Sequence, residues 1–246
     1  MTSTTDIERP RFARMYLKAA ERMERRGATD HRRRLLDGLS GRVVELGAGN
    51  GLNFAHYPTT VTEVIAVEPE PTLRAAAEKS ASTAPVAVIV CGGTADALPL
   101  GGGEVDAAVA SLVLCSVPDQ AGALAELHRV IRPGGELRFY EHVIANCQPL
   151  RTMLRLADRS GLWPKLAGGC HPARDTGAAI EAAGFEIERC ERFGFKASAI
   201  EPSVPHILGI ARRAYGCEPL GRRIAPRRCP GESHARAQPL IARSHP

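Results

Sequence analysis

A short apolar run, Arg42-Val43-Val44-Glu45-Leu46, ends in the bend Gly47-Ala48-Gly49-Asn50-Gly51. Three glycines at alternate places after a buried strand leave bare backbone that can approach a ligand closely, with a helix N-terminus aimed at it. Few architectures begin this way. The spacing also separates ligand classes. A dinucleotide loop wants its third glycine where Leu52 stands, which counts against a nicotinamide-linked oxidoreductase.

The rest of the chain repeats the strand-then-helix alternation. Strands are expected at 64–68, 86–90, 105–114 and 136–143, with helices at 71–80 and from Asp119 to about Arg132. A polar helix at 149–159, a turn at Gly168-Gly169 and a helix at 175–183 follow, then strands at 185–195 and 206–212. This order implies an α/β fold built on a doubly wound, mostly parallel sheet of seven strands with helices on both faces. Ahead of it, Phe12, Met15, Tyr16, Ala19 and Met23 recur at helical intervals between arginines, predicting a helix over 10–26. Gly27 should end it, and Thr29 or Asp30 should cap a second helix running to Leu39. The organisation read is basic helices over 1–40, the main domain over 41–216, and a tail over 217–246 with five prolines and no periodicity.

Charge is concentrated at the ends. Residues 9–34 carry ten Lys/Arg against three acids, and residues 217–246 six against two, within a net charge of +5. Peripheral contact of the first helix with an anionic membrane surface is one expectation, and a merely solvated face is the other. Nucleic acid is not expected as a partner, because aromatics, at 4%, are too few for base-stacking platforms. The polar N-terminus lacks a secretory signal, so a cytoplasmic location is expected. Seven cysteines without any CxxC pair read as free thiols, and the spacing offers no metal site.

The bend in its E-x-G-x-G-x-G form resembles that of class I S-adenosyl-L-methionine-dependent methyltransferases, of the methyltransferase type 11 kind. The likeness continues through Glu68 at the end of the second strand, Gly93-Thr94-Ala95-Asp96-Ala97-Leu98-Pro99, the strand ending at Ser111, and Arg132-Pro133-Gly134-Gly135. It implies a Rossmann-like fold and S-adenosyl-L-methionine as cofactor. Gly47, Ala48 and Gly49 would lie against the methionine end, with Glu45 orienting its amino group. Glu68, followed by Pro69, would accept from the ribose hydroxyls, a bidentate task suited to a carboxylate. Asp96 and the Ala97 N–H would meet the adenine, and Ser111 the methionine portion.

Within that superfamily, Asn53-Phe54, Leu112-Val113-Leu114-Cys115-Ser116-Val117, Tyr140-Glu141-His142-Val143, Trp163, Gly169-Cys170 and Pro205-His206-Ile207 resemble the methyltransferase-like alkyl thiol S-methyltransferases. That implies a small thiol as acceptor, with a lipid, quinone-like ring or amine as the alternative and a non-catalytic binding protein as the reading from another class. His142, at the carboxyl edge of the sheet, is the candidate to take the acceptor's proton or orient its sulfur, and a structural histidine is the plainer alternative. Cys115 and Cys170 could both face the pocket. If they converge, a soft thiophilic species such as arsenite would suit them.

Overall fold

The computed structural model describes residues 7–161, 163, 165, 168–196 and 203–215. Seven strands form one sheet: β1 (Gly41–Leu46), β2 (Val61–Val67), β3 (Ala87–Cys91), β4 (Val105–Ser111), β5 (Ile131–His142), β6 (Phe185–Phe195) and β7 (Val204–Arg213). Their order is β3-β2-β1-β4-β5-β7-β6. The first five run parallel and β7 runs antiparallel to both its neighbours. The stretch 196–203 between β6 and β7 is too short for a crossover helix, so those two strands pair as a hairpin.

Both faces of the sheet are covered. Among the described residues the α-helices are α1 (Pro10–Met23), α2 (Thr29–Leu36), α3 (Pro71–Ala81), α4 (Gln120–Val130), α5 (Leu150–Arg159) and α6 (Thr176–Ala182). Adjacent residues of a strand point to opposite faces. Val43 accordingly packs with Leu35 and Leu36 of α2 and Ala77 of α3, whereas Val44 packs with Leu124 and Leu127 of α4 and Ile180 of α6. The sequence α2 therefore shares a core with β1. Glu70, Asp119 and Asp175 cap α3, α4 and α6 by accepting N–H groups of Leu73, Gly122 and Ala178.

Several expected boundaries move. The first helix does end where expected: Met23 and Glu24 keep α-helical backbone angles, and Gly27, with a φ of 103°, makes the kink that separates it from the second helix. Neither expected cap serves α2. Ala28 occupies the N-cap position, and Thr29 Oγ1 instead donates to Glu24 Oε2 at 2.6 Å. The second helix stops at Leu36, not Leu39. α4 gives way at Val130, and β5 begins at Ile131, where a register shift carries it past Arg132 to Gly135 and into the main pairing. β4 ends at Ser111 rather than Leu114, because Leu112 turns to a φ of 57°. The tail expected from 217 onward lies outside the described residues. Among the described residues, no helix is long and apolar enough to cross a membrane.

Candidate active site

The bend after β1 is held open by its own backbone. Gly47, Gly49 and Gly51 have φ values of 62°, 58° and 77°, a region where a side chain is strained. A Cβ on Gly47 would overlap Val113 Cγ2, and one on Gly49 would lie 2.6 Å from the Tyr16 hydroxyl. The Gly49 N–H donates to Glu68 Oε2 at 2.8 Å, and the Glu70 N–H donates to Oε1 at 3.0 Å. Burial raises the Glu68 carboxyl, while those two N–H groups oppose the shift by favouring the charged form. Each oxygen takes one backbone bond and keeps lone-pair capacity for a ligand hydroxyl.

Glu45 lies beneath this bend. Asn53 Nδ2 donates to its Oε1 at 2.9 Å and the Tyr57 hydroxyl donates to its Oε2 at 2.7 Å. Burial pushes its carboxyl up to about 7. Asn53 Oδ1 in turn accepts from Arg32 Nη1 at 2.9 Å, and Arg32 Nε pairs with Glu24 at 2.9 Å. This chain of bonds ties the basic N-terminal helices to the floor of the bend. Arg32 and Tyr57 carry no sequence signal for such a role, since one sits in a run of arginines and the other in a loop.

The other expected positions distribute as follows. Ala48 is buried in the bend, and Pro69 follows Glu68 with its carbonyl accepting the Ile7 N–H at 3.2 Å. Ser111 ends β4 half-buried, with Arg32 Nη1 3.5 Å from its Oγ. Asp96 and Ala97 lie exposed in the turn after β3. The Ala97 N–H, expected to meet adenine, donates to the Thr94 carbonyl at 3.2 Å and closes that turn. The structure thus gathers Glu45, Gly47, Ala48, Gly49, Glu68 and Ser111 at the carboxyl ends of β1, β2 and β4, leaving Asp96 and Ala97 at the rim. Across the opening lies α1, with Tyr16 against Gly49 and Phe12 against Gly168.

A second group sits beyond β4 and β5. Glu141 is fully buried, and its carboxylate accepts three N–H groups, from Val113 at 3.0 Å, Leu114 at 2.9 Å and Cys115 at 3.1 Å. Burial drives this carboxyl well above its ordinary range against those bonds. The captured loop places Cys115 Sγ 3.5 Å from His142 Nδ1, and Cys170 Sγ lies 3.4 Å from the same nitrogen. The contact with Cys170, together with burial, pushes the Cys115 thiol up to about 12. His171 donates its N–H to the Cys115 carbonyl at 2.7 Å, and its Nδ1 meets Asp158 Oδ1 of α5 at 2.8 Å. The His206 ring packs against His142 with centroids 4.4 Å apart, and its buried Nε2 has no hydrogen-bond partner among the described residues. Spacing along the chain could not reveal this cluster, because its members come from three separated segments.

These features fit a nucleoside carrying an amino-acid tail. A bare backbone bend can receive the tail, a carboxylate with spare lone pairs faces the adjoining strand end, and the buried Asn50 Oδ1 in the bend has no partner among the described residues.

Comparison with known proteins agrees. The methyltransferase domain family matches residues 44–139. Thiol S-methyltransferase TMT1B of Mus musculus is 36% identical over 184 residues, covering 72% of this chain and 73% of its own length. Thiol S-methyltransferase TMT1A of Homo sapiens is 33% identical over 181 residues, covering 71% and 72%. The solved S-adenosylmethionine-dependent methyltransferase from Mesorhizobium loti aligns with a TM-score of 0.55 at 22% identity, over 76% of this chain and 99% of that one, which shows the fold. The cofactor is S-adenosyl-L-methionine, and the chain belongs to the S-adenosylmethionine-dependent methyltransferases with a class I, Rossmann-like fold, among which it is related to the thiol S-methyltransferases.

Proposed function

We propose that this methyltransferase methylates the sulfur of a small thiol. The observation that carries the reading is the cluster of Cys115, His142 and Cys170 at the carboxyl ends of β4 and β5. It adjoins the segment whose Val113 packs on Gly47. Ligands of open α/β sheets bind at that edge. Kinship to two thiol S-methyltransferases supports the same acceptor.

The cofactor, when bound, supplies a methyl group already activated on a sulfonium sulfur. The chain's own residues then have to align the acceptor and exclude water. Gly47 and Gly49 admit the amino-acid tail, Glu68 fixes the ribose, and Tyr16 with Phe12 roofs the opening. A free thiol with a pKa near 8.5 is only a few per cent thiolate at neutral pH, so orienting or deprotonating it raises the rate. His142, beside Cys115 and Cys170, is the residue to which we assign the orienting of that sulfur. Incubation with radiolabelled cofactor tests the reading. Label should enter small thiols, and His142→Ala should lower that transfer roughly 10²-fold. Label appearing only in lipid extracts overturns it.

One observation favours a second acceptor class, a lipid or quinone-like ring. The outer face of α5 leaves Met153 and Leu156 more than three-fifths exposed, with Trp163 close behind at 40%. Asp158 of the same helix is bonded to His171, next to Cys170. An apolar acceptor drawn from a membrane surface would arrive by this face, helped by the arginines of α1.

A further inference from the structure

Cys115 Sγ, His142 Nδ1 and Cys170 Sγ all lie within 4.8 Å of one another. We propose that they bind a zinc ion, with its fourth position left open for the sulfur of the acceptor. This extension rests on the thiol reading above.

The separations are those of a coordination sphere. Zinc–sulfur bonds of about 2.3 Å and zinc–nitrogen bonds of about 2.0 Å at a tetrahedral angle put sulfur and nitrogen roughly 3.5 Å apart. The two sulfur–nitrogen distances here are 3.5 and 3.4 Å. The donor set is equally selective. Two thiolates and an imidazole favour a borderline or soft cation and reject magnesium and calcium, which want oxygen. Zinc sites with four protein ligands are structural, whereas three protein ligands leave a place for a reacting group.

Each ligand is held by contacts independent of any metal. Cys115 is fixed through its N–H by Glu141 and through its carbonyl by His171. His142 is fixed by pairing with His206 across β5 and β7. Cys170 precedes His171, which Asp158 anchors. Such support around the ligands is what a metal site requires. The chemistry matches the need of the acceptor. When a thiol enters the fourth position its S–H bond breaks, a zinc–sulfur bond forms, and the proton leaves to bulk water. The sulfur is then a thiolate at neutral pH without any side chain acting as base, and His142 serves as ligand.

The full chain, purified with reductant under argon, should carry about one zinc per molecule by mass spectrometry. Cobalt added to the metal-stripped protein should give a thiolate-to-cobalt charge-transfer band and tetrahedral ligand-field bands. Cys170→Ser should weaken metal binding by more than the roughly tenfold that even a supporting hydrogen bond is worth. It should still take up S-adenosylhomocysteine in a calorimeter, which controls for folding. If it does not fold, the metal count and cobalt spectrum of the wild type decide alone. Substoichiometric metal overturns the proposal, whether Cys115 and Cys170 titrate as free thiols or prove joined as a disulfide. Adding 2-mercaptoethanol to the cobalt form should strengthen the charge-transfer band as a third thiolate joins. An unchanged band, with thiols still methylated by metal-free protein, overturns the zinc role and leaves the thiol reading standing. A strengthened band with no methyl transfer to any thiol overturns that reading and leaves the metal site standing.

Discussion

The Glu141 carboxylate accepts the backbone N–H of Cys115 at 3.1 Å, so a side chain of β5 holds the exit loop of β4. The same carboxylate takes Val113 and Leu114. Glu141→Gln retains one acceptor oxygen and turns an amide donor toward N–H groups. The expected cost is roughly 2–4 kcal/mol of unfolding free energy, read as a lower urea midpoint at constant slope. A midpoint equal to wild type would show that these three bonds contribute nothing net.

Glu45 should make stability depend on pH. Its folded-state pKa, about 7, stands above the ordinary 4.5 of a free glutamate because burial disfavours the charged form, so the folded protein binds this proton more tightly than the unfolded chain. Its stabilising share is complete below about pH 4.5 and is lost as pH rises toward 7. Glu45→Gln mimics the protonated form at every pH. Relative to that variant, wild type should lose on the order of 3 kcal/mol across this window. Parallel stability curves for the two proteins would contradict the assignment.

Removing the Glu68 carboxylate should strike cofactor affinity harder than the fold. Glu68→Ala loses the acceptor for the Gly49 and Glu70 N–H groups and for the ribose. Hydrogen bonds to a charged group are worth about 1.5–3 kcal/mol, which corresponds to a roughly 10- to 100-fold rise in Kd for S-adenosylhomocysteine. Calorimetry on a variant with a cooperative melt checks this, and an unaltered Kd would remove Glu68 from the site.

Trp163 is the single tryptophan of the chain, follows α5 in sequence and is 40% exposed, as Met153 and Leu156 of that helix also are exposed. If this face meets a membrane, anionic vesicles should shift its emission to the blue, and neutral vesicles should do so less, because the arginines of α1 add electrostatic attraction. Emission indifferent to both vesicle types would argue against the membrane approach.

What could be read from the chain follows distance along it. The bend from Gly47 to Gly51 and the acid at Glu68 are local patterns at strand ends, and both stand where spacing put them. The Cys115–His142–Cys170 cluster depends on three elements meeting, which no periodicity encodes. Leu112-Val113-Leu114 looks like more of β4 because apolarity alone cannot report that Leu112 turns left-handed and that a buried carboxylate captures the next amides. Arg32, Arg33 and Arg34 look alike in sequence, yet Arg32 is buried beneath the bend while its neighbours face solvent.

The placement of α1 has a consequence for the surroundings of the cofactor. With the Tyr16 hydroxyl so near Gly49, a tail laid along the bend meets a phenol of α1 as well as bare backbone. The first helix is thereby one wall of the cradle, and residues ahead of β1 share in shaping what the enzyme can hold.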